Sequence, residues 1–433
     1  MKHFLLSALA MLIAVPATAQ PLSKTEARTA AAIDAEADRT LAFLERMVVQ
    51  NSGSLNTPGV IAVRDIVSPE FEALGFTLRW ADMTATGRAG HLIATHKGNG
   101  RGKRILLIGH LDTVFEPSSP FTGFKREGDR ATGPGTVDDK GGIAVIVAAL
   151  RGMQAAGTLR NADIVVVLTG DEERVGAPLD VARKDLIEAG KWADIALEFE
   201  GLARDDGKDY GSVARRSSSN WTLTVKGKSG HSSGIFNAEM GYGAIYEMAR
   251  ILDSFRRELP EPNLTYNVSV LGGGTPATID AQGLSITGSG KTNIIPETAI
   301  ARGDLRSLTP EQDARARARM QEIVAKHLPG TSATLVIDAG YPPMAPTEGN
   351  RALLARLNQV NTSLNLPQMP EYDPAKRGAA DSSFVAADAD TLAGLGPYGD
   401  KAHAEGEWVE IPSIAIQAKR AAVLIARLSA ERR

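Results

Sequence analysis

Apolar positions in this chain fall into two kinds of run, and the contrast between them predicts the architecture. Residues 104–109 (RILLIG) and 163–170 (DIVVVLTG) are continuous, β-branched and too short for a helix, so each is predicted to be a strand covered on both faces. DIALEFEG, over 194–201, has the same form. Residues 25–49, 60–74 and 142–153 read instead as helices, and residues 77–80 as an edge strand after Gly75. A long Ala-rich helix is predicted over 413–430, capped by Ser413 behind Pro412. The fold class that follows is α/β, with a mostly parallel sheet sandwiched by helices.

The pattern changes around 210–219, which is polar and rich in Arg and Ser. Beyond it come a half-buried strand over 220–226, a helix over 241–259, strands over 265–271 and 299–305, a helix over 311–328 behind Pro310, and a strand over 333–338. The order β-α-β-β-α-β is the ferredoxin-like arrangement. It is expected to form an inserted α+β lid and dimerisation domain over 214–329, within a metal-binding catalytic domain built from 20–213 and 330–433. Helical character resumes over 353–364.

A length of 433 residues agrees with two domains. The net charge of -3, without a sustained basic stretch, argues against nucleic acid or an anionic membrane as partner. Cysteine is absent, so any metal site must use nitrogen and oxygen donors. Lys2 and His3 precede an apolar run over 4–15, and Ala17-Thr18-Ala19 supplies small residues for cleavage after Ala19. Residues 1–19 are therefore expected to be a signal peptide, giving a periplasmic or secreted protein without a membrane anchor. The run is shorter than the roughly 20 residues a span requires.

Each predicted strand of the first group ends in acids or histidine. GHLDTV carries His110 and Asp112, GDEE carries Glu172 and Glu173, and EFEG carries Glu198 and Glu200. In open α/β sheets the working site lies outside the carboxyl ends of the strands. GPGTVDDKGG adds Asp138 and Asp139 at a helix entrance, and DKAHAEGEW adds His403 in a loop. A two-metal hydrolase requires a carboxylate between the ions and histidine or carboxylate on either side. His110, Asp138, Glu173, Glu200 and His403 make such a set, and zinc suits mixed imidazole and carboxylate donors. From the residues alone Asp138 and Asp139 are equally good ligands; Glu198 and Glu200 share a strand face, with Glu200 nearer the strand's end. Asp112 is in reach of the second nitrogen of His110 and would fix its tautomer. Glu172 is left free to act as general base.

Together GHLDTV, GPGTVDDKGG, TGDEE, EFEG and AHAEGEW resemble the co-catalytic zinc peptidases that include carboxypeptidase G, aminoacylase, succinyl-diaminopimelate desuccinylase and carnosine-type dipeptidases. The resemblance spans nearly the whole chain after residue 19, insertion included. It implies His110, Glu173, Glu200 and His403 as ligands of two Zn2+ per subunit, with Co2+ or Mn2+ as alternatives. Asp138 is implied as the bridge, joined to Asp139 by a cis peptide, and Glu172 as the base. KGKSGHSSG implies that His231 reaches the active site of a second subunit and stabilises the oxyanion, hence a homodimer. Asn293 in TNIIPE and Arg306 in GDLR match positions that hold a substrate carboxylate. Gly378 in RGAADSS matches a glycine turn beside substrate, although Ala380 departs from the frequent Thr of that pattern. The implied activity is cleavage of the amide bond before a C-terminal amino acid in a small peptide or N-acyl amino acid. Glutamate carboxypeptidases are the most similar; a deacylase or dipeptidase of the same family, or a non-catalytic binding protein on the same fold, are the alternatives.

Overall fold

The computed structural model describes residues 21–433, and the expected signal peptide lies outside them. Helix α1 (Lys24–Ala35) opens on a capping box: Ser23 Oγ accepts the Glu26 N–H at 3.2 Å while the Glu26 carboxylate accepts the Ser23 N–H at 2.7 Å. The single helix expected over 25–49 is broken at Glu36, where α2 (Ala37–Val48) begins. Both halves pack on the later helix Lys140–Ala156, which one straight rod could not follow. Helix α3 (Thr57–Ala73) completes this layer.

Five strands of the main sheet follow with two longer helices among them: β1 (Thr77–Asp82), β2 (Gly90–His96), β3 (Arg104–His110), α4 (Lys140–Ala156), β4 (Asp163–Thr169), α5 (Lys184–Trp192) and β5 (Ile195–Glu198). They pair in the order β1-β2-β4-β3-β5, and the short strand Asp390–Leu392 closes the far edge. Only β2 runs against the rest, so the sheet is mostly parallel. Side chains alternate between two cores. Ile105 and Leu107 join the cluster that includes α4, whereas Leu106 and Ile108 join one with Leu186 and Val385 on the opposite face. Each such burial contributes about 1.5–3 kcal/mol relative to exposure. The parallel register sets His110 level with Thr169, and Ile108 level with Glu198, so three strand ends deliver their acids and imidazole to one edge.

The chain then forms a second sheet from β6 (Ser219–Gly227), β7 (Thr265–Gly274), β8 (Thr298–Arg306) and β9 (Thr331–Ile337), all antiparallel, in the order β7-β8-β6-β9. Helices α6 (Gly243–Glu258) and α7 (Pro310–Val324) cover one face over a separate core around Trp221, Phe255 and Met320. Helices α8 (Glu348–Ser363) and α9 (Ile411–Ala430) return to the first core. Ser413 does not cap α9. The helix starts two residues earlier with Pro412 in its first turn, and Ser413 Oγ donates to the Glu410 carbonyl at 2.6 Å. No helix among the described residues is long and apolar enough to cross a membrane.

Candidate metal centre

His110 ends β3 with its ring buried and both nitrogens engaged. Nδ1 lies 3.1 Å from the Asp112 carbonyl and 3.3 Å from its carboxylate, while Nε2 lies 3.0 Å from Asp138 Oδ1. Asp112 is fully buried and acts on two segments at once. Its Oδ1 accepts the Glu172 N–H at 3.0 Å, and its Oδ2 accepts the Glu173 N–H at 3.1 Å and the Ser54 hydroxyl at 2.6 Å. One carboxylate thereby orients the imidazole and the GDEE turn together. Burial opposes ionisation of Asp112, yet His110 and these donors hold it below the usual carboxylate range.

Asp138 is the centre of the cluster. Its Oδ1 faces His110 Nε2 and its Oδ2 faces His403 Nε2, each at 3.0 Å, and His403 Nε2 also lies 3.0 Å from Glu173 Oε2. Two donors that each sit about 2.0–2.1 Å from one zinc ion lie about 3–3.4 Å from each other, so these spacings suit shared ions. Asp139, chemically equivalent in the sequence, is turned inward. Its Oδ2 accepts the His110 N–H at 3.2 Å, and Cβ atoms at Gly109 and Gly142 would fall 2.6 Å and 2.1 Å from its carboxylate oxygens. Those two glycines clear the space that Asp139 fills, leaving Asp138 to face both histidines. The peptide between Asp138 and Asp139 is cis.

Glu172 and Glu200 offer oxygens that lie, with a nitrogen of His110, within 4.8 Å of one another; Glu173, Asp138 and His110 form a second such group. Glu200 lies just beyond β5 and shares Arg215 Nη2 with Glu198, at 2.6 Å to each. Burial pushes Glu200 up to about 7 and holds Glu172 well above the usual carboxylate range, where the neighbouring Glu200 charge adds to the effect. Glu173 Oε1 is buried without a hydrogen-bond partner among the described residues. An enclosed surplus of carboxylates, one with an unpaired oxygen, fits divalent cations held by imidazole and carboxylate donors.

The substrate-side residues fall elsewhere. His231 is exposed on the second sheet's side of the chain, its Nδ1 2.8 Å from Ser233 Oγ, and the Asn293 carbonyl accepts the neighbouring Ser232 N–H at 2.9 Å. Arg306 ends β8 and pairs with Asp304 at 2.9 Å. None of the three makes a hydrogen bond or ion pair with the cluster among the described residues. Gly378 touches it through its carbonyl, which accepts from Arg215 Nη1 at 3.1 Å. A Cβ there would meet nothing within 4 Å, so space does not require glycine at this position.

Several supporting residues escape a reading of the sequence. Arg215 lies in the polar stretch rich in Arg and Ser, yet it is buried. Arg183 is fully buried between Asp171 at 2.5 Å and Asp381 at 2.8 Å, and also bonds Tyr341, whose hydroxyl donates to the Glu172 carbonyl at 2.7 Å. Glu407, four residues beyond His403, accepts the N–H groups of Gly135, Val137 and Asp138 at 3.0, 2.8 and 3.1 Å. Its position in AHAEGEW was the only available signal. Replacing Glu407 with alanine should weaken metal affinity about 10–100-fold, as removal of outer supports typically does. Calorimetric titration of the apoprotein reads this, and unchanged affinity would show that the Asp138 loop holds itself.

Residues 106–427 match the peptidase family M20/M25/M40. The chain belongs to that family. It is 28% identical to carboxypeptidase G2 of Pseudomonas sp. (strain RS-16) over 395 residues, covering 89% of this chain and 88% of that one. It is 30% identical to succinyl-diaminopimelate desuccinylase of Novosphingobium aromaticivorans over 325 residues, covering 68% and 81% respectively. Among solved structures, the YXEP protein of Bacillus subtilis, described as a dinuclear metal-binding peptidase of the M20 family, superposes with a TM-score of 0.63 at 14% identity, covering 91% of this chain and 98% of that one. M20 membership makes the protein a metal-dependent hydrolase of the peptidase and amidohydrolase type.

Proposed function

We propose that the protein hydrolyses the amide bond before a C-terminal amino acid, with two zinc ions held by His110, Asp138, Glu173, Glu200 and His403. The observation that carries this reading is Asp138, with one carboxylate oxygen 3.0 Å from each of two imidazoles. Ions bound there supply Lewis acidity toward the scissile carbonyl and lower the pKa of water. Glu172 takes the proton of the attacking water and returns it to the leaving amine. Arg183 and Tyr341 hold the Glu172 backbone from behind, and Asp112 holds its N–H.

Similarity to carboxypeptidase G2 over most of both chains favours the carboxypeptidase direction, and the motif resemblance to glutamate carboxypeptidases is the ground for proposing a glutamate-type preference. Similarity to a succinyl-diaminopimelate desuccinylase supports an N-acyl amino acid deacylase as the second reading. Chelator-treated protein should be inactive toward a panel of dipeptides and N-acyl amino acids and should regain activity with about two equivalents of zinc. A panel left intact by the zinc-loaded protein would overturn the proposal.

The proposed homodimer draws support from exposed apolar side chains near the open edge of the second sheet. Leu271 on β7 is 55% exposed, and Ile245 and Tyr246 on α6 are 46% and 54% exposed. A dimer that buries this patch should become monomeric in light scattering when Leu271 and Tyr246 are both changed to lysine. A wild-type monomer would remove the cross-subunit role of His231.

A further inference from the structure

A cavity of about 340 Å³ opens beside the cluster, with Asp138 and Glu200 in its wall. Its other walls carry Arg204, Arg377, Asp400 and Lys401. The cations differ in how well they are satisfied. Arg204 is neutralised by Asp209 at 2.7 Å and Glu410 at 2.9 Å, and stacks on Tyr398. Arg377 gives one hydrogen bond to the Gly201 carbonyl at 3.0 Å and lies 4.0 Å from Glu200, a carboxylate claimed by Arg215 at 2.6 Å and assigned to the metals. The side chain is 18% exposed, and its Nε is buried without a hydrogen-bond partner among the described residues. Lys401 is exposed on the loop that carries His403, and its ammonium has no hydrogen-bond or ion-pair partner among the described residues. Asp400, the remaining acid in the wall, accepts the Lys401 backbone N–H at 2.7 Å.

We infer that this cavity is a carboxylate pocket. Arg377 and Lys401 receive a second acidic group of the substrate while its scissile amide lies over Asp138 and Glu200. A guanidinium and an ammonium under-satisfied in one recess recognise a carboxylate through charge-assisted hydrogen bonds. Their nearness to the cluster limits the ligand to a group a few bonds from the amide. The acid can belong to the amine side, as in an acidic C-terminal residue, or to the acyl side, as in a dicarboxylic acyl group. This inference rests on the proposed amide hydrolysis and adds which residues read substrate charge.

Two matched pairs of probes test it on the zinc-loaded protein: N-acetylglutamate against N-acetylglutamine, and N-glutarylglycine against its terminal amide. Both kcat/KM and calorimetric affinity are measured for wild type, Arg377→Gln and Lys401→Met. Wild type should favour the acid by about 10–100-fold in one pair, the value of a hydrogen bond to a charged partner, and that pair identifies the source of the acid. The acid-to-amide ratio should fall toward one in Arg377→Gln and fall part of the way in Lys401→Met. A wild type without preference in either pair overturns the pocket. So does a substitution that lowers both members of a pair equally, because Arg377 would then only support Glu200. If no probe is hydrolysed, the amide-hydrolysis reading fails separately, and the ratio of binding affinities still decides the pocket. Lys401→Met, on an exposed loop, provides the answer should Arg377→Gln fail to fold.

Discussion

Glu172→Gln protein will bind its metals as wild type does and hydrolyse amides about 10²–10⁴-fold more slowly, the range that a positioned general base contributes. Glutamine preserves the shape of the side chain and the backbone bonds to Asp112 and Tyr341, so folding is undisturbed. It removes only the ability to take and return a proton. The measurement is kcat alongside metal content by elemental analysis. A variant that keeps its metals and its rate shows that proton transfer runs through another group. A variant that loses both shows that Glu172, which shares a potential site with His110 and Glu200, serves as a ligand.

Arg215→Met will lower stability by about 3–5 kcal/mol, because it removes one side of a buried ion pair and leaves two carboxylates uncompensated. Glu198 is almost fully buried, and among the described residues the only other hydrogen bond to its carboxylate comes from the Ser382 N–H at 3.0 Å. The loss reads directly as a shift in the denaturation midpoint of the apoprotein. Zinc should restore part of it, since a cation at Glu200 replaces some of the missing positive charge. An apoprotein as stable as wild type would mean that Glu198 and Glu200 do not need the guanidinium.

The sheet could be read from the sequence because a strand buried on both faces leaves no choice of polar residue along its length. RILLIG and DIVVVLTG carry that constraint visibly, and the two-residue period places alternate side chains in opposite cores. The ends of those strands were equally plain, since His110 and the GDEE acids sit where the apolar run stops. From the residues alone the choice between Asp138 and Asp139 was open, and only the family resemblance pointed to Asp138. The choice is made by the absence of Cβ atoms at Gly109 and Gly142, a three-dimensional fact about what can approach Asp139. Arg215, Arg183 and Glu407 were hidden for another reason. A charged residue buried against its counter-ion looks, in one dimension, the same as one facing water, and Arg215 lies in a segment rich in both Arg and Ser. The break at Glu36 was also illegible, because no glycine or proline marks it and the cause is a shared packing partner elsewhere in the chain.

The bond from the Asp138 N–H to Glu407 joins positions 269 residues apart, and His403 reaches the same aspartate from the same late loop. A growing polypeptide therefore carries His110, the GDEE turn and Glu200 long before it can close the cluster around them. The cluster as a whole can assemble only once the loop near residue 400 has left the ribosome.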